Sequence, residues 1–129
     1  MGDIKMRKVK VLVLITAMDR GGAETMVMNY LRNIDREKVQ MDFLVIRKYK
    51  SDYEDEIKQM GSNVYHLNPI FLKNIGRFKR EFRKFLTEHR EYTIIHSHLE
   101  ERSYFPMKIA KKMGVPVRIV HAHSIPNDK

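Results

Sequence analysis

The hydrophobic pattern along this chain switches back and forth between two periods. Val11-Leu12-Val13-Leu14-Ile15 is a short, β-branched apolar run bounded by polar residues, the pattern of a strand buried on both faces. After Thr16-Ala17-Met18-Asp19-Arg20 and the pair Gly21-Gly22, the spacing changes. Met26, Val27, Tyr30, Leu31 and Ile34 recur every three and four residues, which predicts a helix from Ala23. Asp35-Arg36-Glu37-Lys38 connects to a second predicted strand, Val39 to Ile46. Past a charged loop, a short helix is expected over Tyr53–Met60. Asp52 is placed to cap it, and Gly61 to end it in a left-handed turn. Asn63 to Leu67 reads as a third strand, stopped at Asn68-Pro69.

The second half repeats the alternation. Leu72 to His89 is predicted helical, with Phe71, Ile75, Phe78, Phe82, Phe85 and Leu86 as its apolar stripe. Tyr92 to His98 is the fourth strand. Arg102 to Met113 is the next helix, entered through Glu100-Glu101 and closed by Gly114, with Pro106 near its first turn, where proline is tolerated. Val117 to His123 is the fifth strand. Strands alternating with helices long enough to be crossovers predict an α/β fold: a parallel sheet, order 3-2-1-4-5, with helices on both faces. Residues 1–8 are expected as a flexible tail and 9–129 as one domain.

This order carries a functional consequence. Ligands of such sheets bind beyond the carboxyl ends of the strands, near the switch point. Gly21-Gly22, His96, His98, His121 and His123 all fall at or near carboxyl ends of strands one, four and five. Gly21-Gly22 serves either as a plain turn or as a gap that leaves the helix N-terminus open to an anion such as phosphate. Residues i and i+2 of a strand share a face, so His96 acts with His98, and His121 with His123. Four imidazoles are a possible zinc set. With no cysteine, and with Glu100 and Glu101 past the strand, polar use at strand ends is favoured over a metal.

Several chemistries are excluded. A nicotinamide-binding fingerprint needs Gly-x-Gly-x-x-Gly and an acid after the second strand, where this chain has Arg47-Lys48. No Gly-x-x-x-x-Gly-Lys is present, so there is no P-loop. A phosphoacceptor domain wants an aspartate ending strand three, where His66-Leu67-Asn68 stands.

Composition adds charge and little else. The 129 residues carry a formal charge of +9 and no cysteine, which rules out disulfides and favours anionic partners. No apolar run approaches the ~20 residues of a membrane span, and the N-terminus lacks the apolar core of a signal peptide. Lys73, Arg77, Arg80 and Lys84 form a basic stripe along the fourth-strand crossover helix. It is either a solvated face or a surface for anionic lipid. Nucleic acid is not expected, because the phenylalanines lie on the core stripe and leave no stacking platform.

Taken together, Lys10–Ile15, Gly21-Gly22-Ala23-Glu24, Ile94-Ile95-His96-Ser97-His98 and Gly114–His123 resemble, in order and spacing, the N-terminal half of GT-B retaining glycosyltransferases. More narrowly they resemble glycosyltransferase family 4, rich in capsule and exopolysaccharide enzymes. The resemblance implies a Rossmann-like, acceptor-side domain facing a donor domain that this sequence does not contain. It implies transfer of a sugar from a nucleotide-sugar donor to a glycan or lipid-linked acceptor in surface polysaccharide synthesis. His123 matches the histidine beside the reacting sugar and is the catalytic candidate. Gly21, Gly22, Glu24, His96 and His98 are the substrate-binding candidates. No metal or other cofactor is implied, and the location implied is cytoplasmic, peripheral on the inner face of the membrane. As a truncated domain, these 129 residues are expected to be inactive alone. The alternative is a stand-alone Rossmann-like module that binds a phosphorylated ligand or a protein partner without catalysis.

Overall fold

A computed structural model describes residues 8–121. Five parallel strands form one sheet in the order β3-β2-β1-β4-β5, as the alternation predicts. They are β1 (Val9–Ile15), β2 (Val39–Val45), β3 (Val64–His66), β4 (Ile94–Ser97) and β5 (Val117–Val120). The crossovers are α1 (Gly22–Asn33), α2 (Glu54–Gln59), α3 (Ile75–Glu88) and α4 (Tyr104–Lys112). Short 3-10 turns over Leu72–Asn74 and Glu100–Ser103 precede α3 and α4, so both helices begin two or three residues later than their periodicity suggests.

The period-two strands sort their side chains into two cores. Leu12, Leu14, Leu44 and Ile95 pack under α3 and α4, against Phe78, Phe82, Phe85, Leu86, Ile109 and Ala110. Val13, Ile15, Phe43 and Val45 pack on the opposite face, against Val27, Met28 and Leu31 of α1 and Ile57 of α2. Each such fully buried side chain is worth about 1.5–3 kcal/mol relative to exposure. Gly61 and Gly114 both have positive φ, +91° and +86°, and end α2 and α4 as expected.

Three local expectations are corrected. Phe71 is not part of the buried stripe of α3; it is 44% exposed, and the neighbouring Leu72 is 81% exposed, because both precede the helix. Tyr30 is 52% exposed; the buried arc of α1 runs through Met28 instead. Asp52 does not cap α2: Tyr53 holds the cap position, without a side-chain hydrogen bond, and the Asp52 amide donates to Asp19 Oδ1 at 3.0 Å. Helices pack on both faces of the sheet, as expected; at its β5 edge Val117, Ile119 and Val120 are exposed.

One buried polar cluster, legible only in three dimensions, fixes the opposite end of the sheet. Asp42 on β2 is 1% exposed. It accepts hydrogen bonds from the Tyr92 hydroxyl, the Asn63 amide at 2.8 Å and Gln40 Nε2 at 2.7 Å. Burial and, next, the bond to Asp42 hold the Tyr92 phenol far above its ordinary range. The carboxylate thereby ties the starts of β3 and β4 to β2.

Candidate functional site

The carboxyl ends of β1 and β4 adjoin at the switch point of the sheet, and the candidate residues gather there. Backbone hydrogen bonds carry the ladder one step beyond the strands. The His98 amide donates to Leu14 O and the His121 amide to Ser97 O, each at 2.8 Å. A polar cleft lies at this edge, lined by Thr16, His98, Leu99, Glu100, Glu101 and Arg102. Glu100 holds φ +54°, a left-handed conformation costing a non-glycine residue roughly 1–2 kcal/mol. Such strain collects at functional sites. Thr16 and Glu100 were not singled out by sequence; a carboxylate just past a strand that ends in two histidines was the available signal.

The glycine loop reaches the same edge from above β1. Its backbone is braced by the loop that follows β2. The Met18 amide donates to Ser51 Oγ at 3.0 Å, the Tyr53 amide to Met18 O at 2.9 Å, and the Tyr49 hydroxyl to Asp19 Oδ2 at 2.7 Å. Gly21 occupies the N-cap of α1 with φ −100° and ψ 178°, extended backbone that any residue adopts. The turn itself therefore does not demand glycine there. A Cβ there would stand 2.7 Å from Glu24 Oε1, the far end of a flexible side chain. At Gly22 a Cβ would meet nothing within 4 Å. The α1 N-terminus is thus not bare, because the Glu24 carboxylate folds back over it, where the helix dipole favours negative charge.

His96, His98 and His121 come together on the α1-side face. His96 pairs with Ile119 and Ser97 with Val120 across β4 and β5, so the next step of the register sets His98 beside His121. The ring centroids are 4.4 Å apart for His96–His98, 5.1 Å for His98–His121 and 5.7 Å for His96–His121. His98 is buried and the other two are half-buried. His121 thus joins the β4 pair, a partnership that inter-strand register decides. His123, the catalytic candidate, lies outside the described residues. From these rings an apolar groove runs back between α1 and the sheet, lined by Val11, Val13, Val27, Tyr30, Ile94 and Ile119 among others.

The basic stripe lies on the crossover that joins β3 to β4. Lys73, Arg77, Arg80 and Lys84 are all exposed on or just before α3. Arg77 is partnered by Glu81 at 3.5 Å. No helix among the described residues is long and apolar enough to cross a membrane.

Comparison with known proteins agrees with this layout. Residues 20–128 match the profile of Glycosyltransferase Family 4. EpsF of Bacillus subtilis (strain 168), which carries the name of a glycosyltransferase, is 37% identical over 115 residues. That match takes in 89% of this chain but 30% of EpsF, so the chain spans less than a third of that relative's length. Among solved structures, the C-terminal domain of a hydrogenase from Pyrococcus furiosus superposes with a TM-score of 0.57. The two are 13% identical, over 91% of this chain and 95% of that one; the likeness is one of fold.

Proposed function

The chain belongs to glycosyltransferase family 4, and on that premise we propose that it forms the acceptor-side half of a retaining enzyme. The whole protein transfers a sugar from a nucleotide-sugar donor to a glycan or lipid-linked acceptor during exopolysaccharide or capsule synthesis. The observation that carries this proposal is convergence. The glycine loop at the α1 N-terminus, the histidines of β4 and the switch-point cleft share one edge of one rigid sheet.

The chemistry follows from charge. Transfer builds positive character on the sugar and negative charge on the departing diphosphate. The open side of Gly22 admits that diphosphate toward the positive end of α1. Glu24 already occupies the neighbouring position over Gly21, so its role is toward the acceptor, taking a hydrogen bond from an acceptor hydroxyl. His98, held at the cleft, binds a sugar hydroxyl, with His96 behind it in the same stack. His123 is assigned the contact to the reacting sugar. No metal takes part in the transfer step.

The protein is proposed to work at the cytoplasmic face of the membrane as a peripheral protein. Exposed Phe71 and Leu72 beside Lys73, Arg77, Arg80 and Lys84 support this: two apolar side chains and a basic stripe together suit an anionic lipid surface.

A transfer assay with labelled nucleotide sugars tests the proposal. The full-length protein should transfer sugar, and the 129-residue chain alone should not. His123→Ala in the full-length protein should lower turnover roughly a hundredfold, the size of one lost transition-state contact, about 3 kcal/mol. Transfer by the isolated chain, or wild-type turnover in His123→Ala, overturns the assignment.

A further inference from the structure

We propose that His96, His98 and His121 form a binding site for a divalent transition metal of the zinc class. One ligand nitrogen from each of the three imidazoles can be chosen so that all lie within 4.8 Å of one another. Tetrahedral zinc holds imidazole nitrogens at 2.0–2.1 Å, which places them about 3.4 Å apart. The ring spacings of 4.4, 5.1 and 5.7 Å already bracket the roughly 5 Å that such a geometry gives between imidazole centroids.

The site is preorganised. His96 sits inside β4, and the backbones of His98 and His121 are tied into the extended ladder through Leu14 and Ser97. Three imidazoles at and just beyond adjacent strand ends form a three-histidine donor set. The groove that His96 and His98 share is lined by apolar residues and tyrosine, and on its other side His98 lines the cleft with Glu100, Glu101 and Arg102. Imidazole donors without thiolate or carboxylate suit zinc, cobalt, nickel and copper over magnesium or calcium.

The site shares His98 with the proposed sugar cleft. A bound metal would therefore compete with sugar rather than promote its transfer. Metal binding itself does not depend on the transfer proposal.

Titration of the metal-free protein with Co2+, followed by Zn2+, tests the site. One Co2+ per chain should bind with the visible absorption of tetrahedral cobalt, and Zn2+ should displace it. Each of His96→Asn, His98→Asn and His121→Asn should weaken binding at least about tenfold, the loss that even a supporting partner of a ligand causes; His89→Asn should not. Imidazole NMR signals of the wild-type protein provide a second measurement that no folding defect can confuse. Zinc should shift the signals of His96, His98 and His121 together. Absence of saturable binding, affinity that survives loss of both His98 and His121, or zinc shifts confined to other histidines overturns the proposal.

Discussion

The carboxylate of Glu24 lies over Gly21, with Oε1 2.7 Å from where a Cβ of residue 21 would stand. The two glycines of the loop are thus unlike. Gly21 makes room for a side chain of its own helix, and Gly22 faces open space.

Substitutions at the two positions should separate fold from function. Gly22→Ala should leave the protein as stable or raise stability by about 0.4–1 kcal/mol, because its backbone is ordinary and the unfolded chain loses freedom. Gly22→Val should fold as well, yet lower sugar transfer by the full-length enzyme about a hundredfold by displacing the diphosphate. Gly21→Ala should push Glu24 aside with little loss of stability, since the contact is the end of a flexible side chain. Thermal unfolding and turnover, measured on the same preparations, check all three.

Membrane association should depend on the α3 stripe. Changing Lys73, Arg77, Arg80 and Lys84 together to Ser should abolish sedimentation with anionic vesicles at low salt. Each basic residue contributes about 1 kcal/mol near a charged surface, and salt screens it. Phe71→Ser with Leu72→Ser should weaken binding at high salt as well, where the apolar part remains. Equal recovery on neutral and anionic vesicles would reject membrane association.

Removal of Asp42 should unfold the amino end of the sheet first. Asp42→Ala leaves the buried Tyr92 hydroxyl and the Asn63 amide without their acceptor, costing about 3 kcal/mol in urea denaturation. Tyr92→Phe removes one donor and leaves Asp42 its bonds from Asn63 and Gln40. It should cost about 1–2 kcal/mol. Neither variant should change the geometry of the distant carboxyl edge.

Glu54 should give the fold a contribution that disappears in acid. It is 4% exposed. Burial pushes its carboxyl upward, but hydrogen bonds from Lys58, His66 and the Ser51 amide outweigh burial and hold it below the ordinary carboxylate value. A folded value below the unfolded one means that the stabilisation is present above about pH 4.3 and lost as pH falls through the lower folded value. Glu54→Gln should therefore be about 2 kcal/mol less stable than wild type at pH 7. The gap should close in chemical denaturation near pH 3.

Sequence alone determined the order and nature of the elements. Periodicities of two and of three to four residues are local, so Val11–Ile15 and the Phe78, Phe82, Phe85 stripe announce their strand and helix without reference to the rest of the chain. Gly61 and Gly114 announce helix ends for the same reason: the left-handed turn is a property of one residue. Right-handed crossovers then leave few topologies, and strand order 3-2-1-4-5 follows. Tertiary structure decided what depends on competition or on register between distant segments. Asp52 has the side chain of a cap, but the amide of that residue is taken by Asp19, 33 positions earlier. Phe71 keeps the helical spacing, yet the helix begins four residues later, and spacing does not show where a sheet ends. His121 looked like the partner of His123 along its own strand. It meets His98, because parallel pairing of β4 with β5 sets them side by side, and no local pattern in either strand encodes that register.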